Sequence, residues 1–117
     1  MAALLADLDA RGMLRDTMVV LATEFGRTPV INQNDGRDHY PKAFSAVIAG
    51  GGIRGGQVYG TTDKNGAEVE ENPLDVTDFN ATIGYGLGID VGETVHSPTR
   101  RPFTFGNKGM PVTEVWS

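Results

Sequence analysis

The side chains best suited to chemistry in this sequence lie in one stretch, from Met18 to Pro41. They are Glu24, Arg27, Asp38 and His39. A carboxylate or an imidazole can bind a divalent metal, and a guanidinium can hold an oxyanion through two parallel hydrogen bonds. The stretch begins as an apolar run and continues as a polar loop, and loops that leave a buried strand carry ligand-binding groups in α/β proteins. The sequence therefore predicts a metal- or anion-binding site here.

Each of these residues also has a simpler interpretation. His39 directly follows Asp38 in a loop that begins at Gly36. The pair could ligate a metal, or it could lie in a surface turn in which Asp38 only adds a negative charge. Glu24 could be a metal ligand at the end of a strand, or a carboxylate paired with Arg27. Arg27 could bind an anion or only neutralise Glu24. The residues alone leave these alternatives open.

Two other segments carry weaker signals. Gly50–Gly56 suggests a phosphate-binding loop, but it lacks the Lys-Ser/Thr of a P-loop and the spacing of a dinucleotide fingerprint, so a tight turn is favoured. His96 has no neighbouring ligand residue and is predicted to be a solvated loop histidine. The pattern Gly-x-Ser-x-Gly is absent, so no serine-hydrolase triad is predicted.

The composition limits the classes of function. A chain of 117 residues is expected to form one domain at most, spanning 1–117. A net charge of −5 argues against nucleic acid and against an anionic membrane surface, because both require a basic face. The absence of cysteine excludes disulfides, thiolate zinc sites and cysteine nucleophiles. The N-terminal segment lacks the apolar core of a signal peptide, and no apolar run is long enough to span a membrane.

The hydrophobic pattern predicts the elements that position these residues. Short continuous apolar runs predict buried strands, and recurrence at three- and four-residue spacing predicts helices. The predicted helices are an amphipathic helix at Ala2–Leu14 that ends near Gly12 and a helix at Asp78–Leu87 capped by Asp75 or Thr77. The predicted strands are Met18–Ala22 and Phe44–Ala49, with short strands at Pro102–Phe105 and Val112–Trp116. A β-hairpin is also predicted, whose tip is Thr61–Gly66 and whose arms are Gln57–Gly60 and Ala67–Glu71.

A helix followed by two buried strands is typical of an α/β sheet. Met18–Ala22 is interpreted as a central parallel strand covered on both faces. Gly84, Gly86 and Gly88 weaken the second helix, and close packing against the sheet would explain their presence.

Several segments together resemble a known family. They are Val19–Pro29, Gly36–Pro41, Ala49–Gly56 and Asp75–Asp90. Through them nearly the whole chain resembles an uncharacterised bacterial family, the domain of unknown function numbered fifteen-oh-one, which is described as sulfatase-like. More distantly, they resemble the C-terminal part of the alkaline phosphatase and sulfatase superfamily. The resemblance implies an α/β fold that is part of an alkaline-phosphatase-like three-layer sandwich, with a mostly parallel sheet, flanking helices and a projecting β-hairpin.

The resemblance also implies roles for individual residues. In the superfamily, an Asp-His motif at the end of a strand binds one divalent metal and a later His binds the other. Carried over, Glu24 takes the place of the Asp ligand, His39 matches the later His, and Asp38 adds oxygen ligation. Arg27 would hold the anion of the substrate. Phe25 stands where the first His would be and cannot ligate a metal, which is a departure from the superfamily pattern.

The implied function is that of a C-terminal (sub)domain of a metal-dependent phosphatase- or sulfatase-like ester hydrolase. The metal would be zinc, calcium or magnesium, and the substrate an anionic ester. The nucleophile and further ligands of the superfamily lie in N-terminal segments that this chain does not contain, so we expect a fragment of a longer protein that is inactive alone. The expected partner is the missing N-terminal region or a second chain that covers the sheet edge, with homo-oligomers as one outcome. Localisation stays open, because the resemblance implies that full-length relatives are often exported or periplasmic, whereas this chain carries no export signal.

Two alternatives have the predicted fold but no catalytic activity. One is a binding or assembly module, for example for sulfated glycans, in which Glu24 and Arg27 form only an ion pair. The other is a structural fragment that dimerises through an exposed strand edge.

Overall fold

The computed structural model describes residues 1–116, which form two compact units that divide after Pro73. Throughout the described chain, each strand pairs with one other strand, and all these pairs are antiparallel. None of the helices in this part of the chain is long and apolar enough to cross a membrane.

The first unit contains one α-helix and three two-stranded sheets. Its elements are α1 (Ala2–Ala10), a 3₁₀ turn (Leu14–Asp16), β1 (Met18–Leu21), β2 (Gly26–Arg27), β3 (His39–Tyr40), β4 (Val47–Gly50), β5 (Thr61–Thr62) and β6 (Val69–Glu71). β1 pairs with β4, β2 with β3, and β5 with β6. In the ladder between β1 and β4, Met18 lies opposite Gly50 and Leu21 lies opposite Val47.

The first predicted helix forms but is shorter than expected. It ends at Ala10, and Gly12 beyond it adopts a φ of +69°, which favours glycine. The Arg11 guanidinium lies 2.9 Å from the Asp7 carboxylate, one turn earlier on the exposed surface. No residue of α1 is buried, so local interactions hold this helix more than packing does.

The predicted fold class is wrong. Residues 1–116 form small two-stranded antiparallel sheets and two α-helices, not a three-layer sandwich around a mostly parallel sheet. The strands at Met18–Leu21 and Val47–Gly50 were predicted in nearly the right places, but they pair antiparallel. A parallel pair needs a crossover connection, usually a helix, whereas the chain between β1 and β4 contains only the β2–β3 pair and loops.

The hairpin predicted around Asn65-Gly66 forms with shifted strands. β5 and β6 flank a turn at residues 63–68, two residues later than the predicted tip, in which the Asp63 carboxylate accepts hydrogen bonds from the backbone N–H of Ala67 at 2.6 Å and of Glu68 at 3.3 Å. The bond from Ala67 is the main reason why the pKa of Asp63 lies below its ordinary value. The side chain of Asp63 therefore closes the hairpin.

The second unit is built around the second helix. Its elements are α2 (Val76–Gly86), β7 (Thr94–His96), β8 (Pro102–Thr104) and 3₁₀ turns at Phe105–Lys108 and Thr113–Trp116. The predicted helix and the strand at Pro102 are confirmed. The predicted strand at Val112–Trp116 is wrong, because most of this segment is 3₁₀ helix, and His96 lies in β7, opposite Pro102, rather than in a loop.

Small residues let α2 pack closely on the segment that follows β8. A Cβ added to Gly84 would lie 2.5 Å from ring carbons of Phe105, so only glycine leaves room for this ring. The glycine that weakens the helix is thus required by packing, as expected, but its neighbour is an aromatic ring after β8 and not a sheet.

Among residues 74–116 of the second unit, the core contains one buried polar side chain. Ala81, Val112 and Val115 are buried, and Thr82 lies among them with 3% of its surface exposed. The Thr82 hydroxyl donates to the backbone oxygen of Asp78 at 2.7 Å and accepts from the backbone N–H of Val112 at 3.0 Å. This hydroxyl therefore connects α2 to the C-terminal segment through a hydrogen bond to the backbone of Val112.

The start of α2 is set by a reciprocal capping box. The Asp75 carboxylate accepts from the backbone N–H of Thr77 at 2.7 Å and of Asp78 at 3.0 Å, and the Asp78 carboxylate accepts from the N–H of Asp75 at 3.1 Å. The predicted choice between Asp75 and Thr77 is resolved in favour of Asp75. Its hydrogen bonds, the one from the Thr77 hydroxyl first, hold the pKa of Asp75 below its ordinary value.

Replacing Thr82 by Val should destabilise the chain by about 1–3 kcal/mol, because the buried N–H of Val112 would lose its acceptor. Chemical denaturation followed by circular dichroism measures this change. Thr82→Ser is the matched control, since it keeps the hydroxyl, and it should lose less stability than Thr82→Val. An equal or smaller loss in the valine variant would contradict the role given to the hydroxyl.

Acid should weaken the cap of α2. A carboxyl whose pKa is lower in the folded state stabilises the fold above its unfolded value, here 3.8, and this stabilisation is lost as the pH falls through the folded value. When the pH is lowered from neutral to below 3.8, the thermal midpoint should therefore fall less in Asp75→Asn than in the wild type. The reason is that Asn caps a helix but does not titrate. Identical drops in melting curves would show that Asp75 does not contribute.

Candidate active-site hairpin

The β2–β3 pair brings two of the predicted site residues together. Arg27 lies directly opposite His39, and Gly26 lies opposite Tyr40. A Cβ on Gly26 would collide with the backbone oxygen of the buried Ala43, so glycine is required where β2 crosses this residue. The crossing fixes the strand and with it the position of Arg27.

Arg27 and His39 both lie near the ring of Phe25. We call these two residues the Arg27–His39 pair. The ring of Phe25 lies 4.2 Å from the ring of His39, centroid to centroid, and the Cζ of Arg27 lies 5.8 Å from the centroid of Phe25. Arg27 Nη1 also donates to the backbone oxygen of Arg37 at 3.3 Å. Arg27 and His39 are exposed and Phe25 is half-buried. The pair therefore presents a guanidinium and an imidazole to solvent on one side of the hairpin.

The loop between β2 and β3 is organised by Asn32. Its Oδ1 accepts from the backbone N–H of Asn34 at 2.9 Å and of Gly36 at 3.1 Å, and its Nδ2 donates to the Asp38 carboxylate at 2.9 Å. The backbone N–H of Asp38 donates to the Thr28 hydroxyl at 3.1 Å. Asn32 was not predicted to have this role, although an Asn two residues before another turn residue is a signal for this geometry.

Arg37 closes the same loop from its other side. Its Nη1 donates to the backbone oxygen of Thr28 at 2.8 Å and to that of Pro29. Because this guanidinium is bound to carbonyl groups within the loop, Arg37 has a structural role and Arg27 is the guanidinium better placed to meet a ligand.

The remaining predicted residues are arranged differently. Glu24 is exposed in the bend between β1 and β2, and the Asp38 carboxylate is held by Asn32. The described ion pairs join Asp7 to Arg11, Arg15 to Asp16, and Lys42 to Glu68, so residues 1–116 show no ion pair between Glu24 and Arg27. Within the same residues, no group of three or more His, Cys, Asp or Glu side chains could hold a metal ion. Glu24, Asp38 and His39 therefore do not form a complete metal centre by themselves.

The glycine-rich segment after β4 forms a tight turn. Gly50, Gly51, Gly52 and Gly56 have positive φ, and the N–H of Gly51 donates to the backbone oxygen of Leu14 at 3.0 Å. A Cβ on Gly50 would collide with the backbone oxygen of Thr17, so the glycine permits the chain to pass close to this segment. These contacts give the segment a structural role.

A cavity in the second unit was not predicted from the sequence. Its volume is about 130 Å³, and its walls combine aliphatic and aromatic side chains with two carboxylates. The lining residues are Ile89, Asp90, Glu93, Val95, Phe103 and Phe105. None of the predicted site residues lines it.

Asn32→Asp should loosen the loop between β2 and β3, because it removes the donor to Asp38 and places two carboxylates next to each other. The backbone N–H groups of Asn34 and Gly36 should then exchange with solvent about fivefold faster, as expected for a loss of about 1 kcal/mol. Hydrogen exchange followed by NMR measures this. Asn34→Asp adds the same charge in the same loop without removing that donor, and equal acceleration in both variants would contradict the role of Asn32.

The comparisons with known proteins give one match. Residues 1–116 match the family described as "Protein of unknown function (DUF1501)". No curated protein and no solved structure matches the chain. Since the match covers nearly the whole sequence, the chain belongs to this family of proteins of unknown function, DUF1501.

Proposed function

We propose that this chain is part of a hydrolase that cleaves phosphoric or sulfuric esters, and that the Arg27–His39 pair binds the anionic group of the ester. The observation that carries the proposal is the register of the β2–β3 ladder, which sets an exposed guanidinium directly opposite an exposed imidazole. The sequence resemblance to the alkaline phosphatase and sulfatase superfamily supports the choice of ester.

The chemistry of the pair suits a tetrahedral oxyanion. A guanidinium can bind two oxygens of phosphate or sulfate at once, and an imidazole nitrogen can bind a third. The chain carries a net charge of −5, so an anion would be repelled by most of its surface and would need a local positive group such as Arg27. In the reaction, Arg27 would stabilise the charge that develops on the transferred group.

Any metal site here would share its ligands between these residues and another segment or chain. His39, with Glu24 and Asp38 as oxygen donors, supplies ligand types suited to a divalent zinc, calcium or magnesium ion. Because residues 1–116 do not bring three such ligands together, the other ligands and the nucleophile would come from a different segment or chain. The proposed role of the described residues is therefore to bind and orient the ester.

A second candidate is a binding module for sulfated glycans. The lack of a three-ligand group in residues 1–116 favours it over a complete metalloenzyme. It uses the same Arg27–His39 pair and needs no nucleophile. Tighter binding of a sulfated oligosaccharide than of inorganic sulfate, with no hydrolysis of sulfate or phosphate esters, would favour this candidate.

Arg27→Ala should weaken the binding of inorganic phosphate and of sulfate about tenfold or more, since a hydrogen bond to a charged group contributes about 1.5–3 kcal/mol. Arg27→Lys should recover only part of the affinity, because an ammonium cannot bind two oxygens in the same planar geometry. Titrations followed by NMR measure the dissociation constants.

Arg54→Ala is the matched control, since Arg54 is an exposed arginine in the glycine-rich segment that donates to Gln57. It should bind both anions as the wild type does. Equal affinities in the Arg27 and Arg54 variants would refute the proposed site. The same samples should not hydrolyse a chromogenic phosphate or sulfate ester, and hydrolysis that increased with added metal would show that the chain is a complete enzyme.

A further inference from the structure

The cavity in the second unit is built mainly by one face of the β7–β8 hairpin. Val95 lies opposite Phe103 in the ladder, and side chains two residues apart point to the same face of a strand. Glu93 lies two residues before Val95, and Phe105 lies two residues after Phe103. All four side chains line the cavity. The register of the hairpin thus brings a carboxylate and two aromatic rings to one place.

The loop between α2 and β7 contributes the other wall and a second carboxylate. This wall consists of Ile89 and Asp90. Asp90 Oδ1 accepts from the backbone N–H of Gly92 at 3.0 Å, and the backbone oxygen of Asp90 accepts from the N–H of Glu93 at 3.2 Å. Among residues 1–116, Asp90 Oδ2 and the Glu93 carboxylate have no hydrogen-bond partner, and neither residue forms an ion pair. The carboxylates are therefore available to a ligand.

The size and lining of the cavity limit what it can hold. Its volume is about 130 Å³, whereas pockets for drug-sized ligands measure about 300–1,000 Å³. Four of the six lining side chains are apolar, and exposure is 50% at Phe103 and 38% at Phe105. A ligand would shield this apolar surface from water. The occupant that fits is small, partly apolar and positively charged.

We propose that this cavity binds a small organic cation with a quaternary ammonium group, of the trimethylammonium type. Such a group carries its charge on an apolar surface of methyl groups and is attracted to the faces of aromatic rings, here those of Phe103 and Phe105. Asp90 and Glu93 add the attraction of two opposite charges.

Other cations suit this lining less well. A primary ammonium is strongly hydrated and brings three N–H donors, for which the apolar walls offer no acceptors. A calcium ion takes six to eight oxygen ligands, and residues 1–116 contain no group of three or more side chains that could hold a metal ion.

Charge also favours a cation over an anion at this cavity. The basic residues that flank the lining segments in the chain do not line the cavity; they are Arg100, Arg101 and Lys108. The net charge of −5 raises the local concentration of cations and lowers that of anions. The cavity is therefore expected to reject a trimethylammonium compound that also carries a phosphate.

Titrations of the full chain followed by NMR test the proposal, with choline as the probe. Choline should give saturable shifts of amide signals within residues 89–105. The neutral isostere 3,3-dimethylbutan-1-ol, in which carbon replaces the quaternary nitrogen, should bind at least about threefold more weakly, because it loses the attraction to the rings and carboxylates. Propylammonium and phosphocholine should also bind more weakly than choline.

Variants test the lining residues separately. Phe103→Leu should weaken choline binding about two- to fivefold, as expected for one cation–π contact at an exposed site, and Phe103→Tyr should retain the affinity because it keeps the ring. Glu93→Gln should weaken binding at least about threefold. Glu70→Gln is the matched control, since Glu70 is an exposed strand residue of the first unit and does not line the cavity. It should bind choline as the wild type does.

The comparison of ligands uses the wild type, so it stays valid even if a variant fails to fold. The absence of saturable shifts with choline, equal binding of choline and its neutral isostere, or tighter binding of propylammonium or phosphocholine would each overturn the proposal. Equal choline affinities of Glu93→Gln and Glu70→Gln would overturn it as well.

Discussion

The antiparallel ladder between β1 and β4 is the constraint on which the candidate site depends. It joins residues 18–21 to residues 47–50, so it fixes both ends of the segment that carries Arg27 and His39. Within this segment the β2–β3 pair is only two residues long, and such a short ladder would be marginal alone. The longer ladder reduces the number of conformations open to the segment, and the crossing of Gly26 over Ala43 selects among those that remain.

The two units are stabilised by different means. The second unit uses conventional packing, with Phe105 against Gly84 and with Thr82 bonded to Val112. The first unit buries only one hydrophobic residue among those described, Ala43, and relies on ladders, turns and side-chain hydrogen bonds to the backbone. Such a unit has little hydrophobic stabilisation of its own.

Local structure was predictable where a single segment determines it. The end of the first helix near Gly12, the cap of α2, which the sequence left open between Asp75 and Thr77, and the strands at Met18 and Val47 depend on neighbouring residues, and the sequence indicates them. Strand direction was not predictable in this way, because an apolar run fits a parallel or an antiparallel pair equally well. The expectation that Met18–Ala22 is covered on both faces favoured a parallel sheet, and the resemblance to a larger superfamily reinforced this error.

For the candidate site, the sequence predicted Arg27 and His39 as site residues but did not predict that they lie opposite each other. Their opposition depends on the register of two short strands separated by a loop, and no periodicity encodes this register. The contact between the rings of Phe25 and His39 was not predicted either, because Phe25 was considered only as a residue that cannot ligate a metal. Its aromatic ring instead contacts the imidazole and lies near the guanidinium.

The hydrogen bonds of Asn32 have a kinetic consequence. One amide side chain holds the backbone at Asn34 and Gly36 and the carboxylate of Asp38, so the loop is expected to open as one cooperative unit rather than residue by residue. A ligand that reaches Arg27 and His39 would then meet a preorganised surface, and little conformational entropy would be lost on binding. Association would be limited by diffusion and by long-range charge repulsion rather than by loop closure, and differences in affinity between ligands would arise mainly in their dissociation rates.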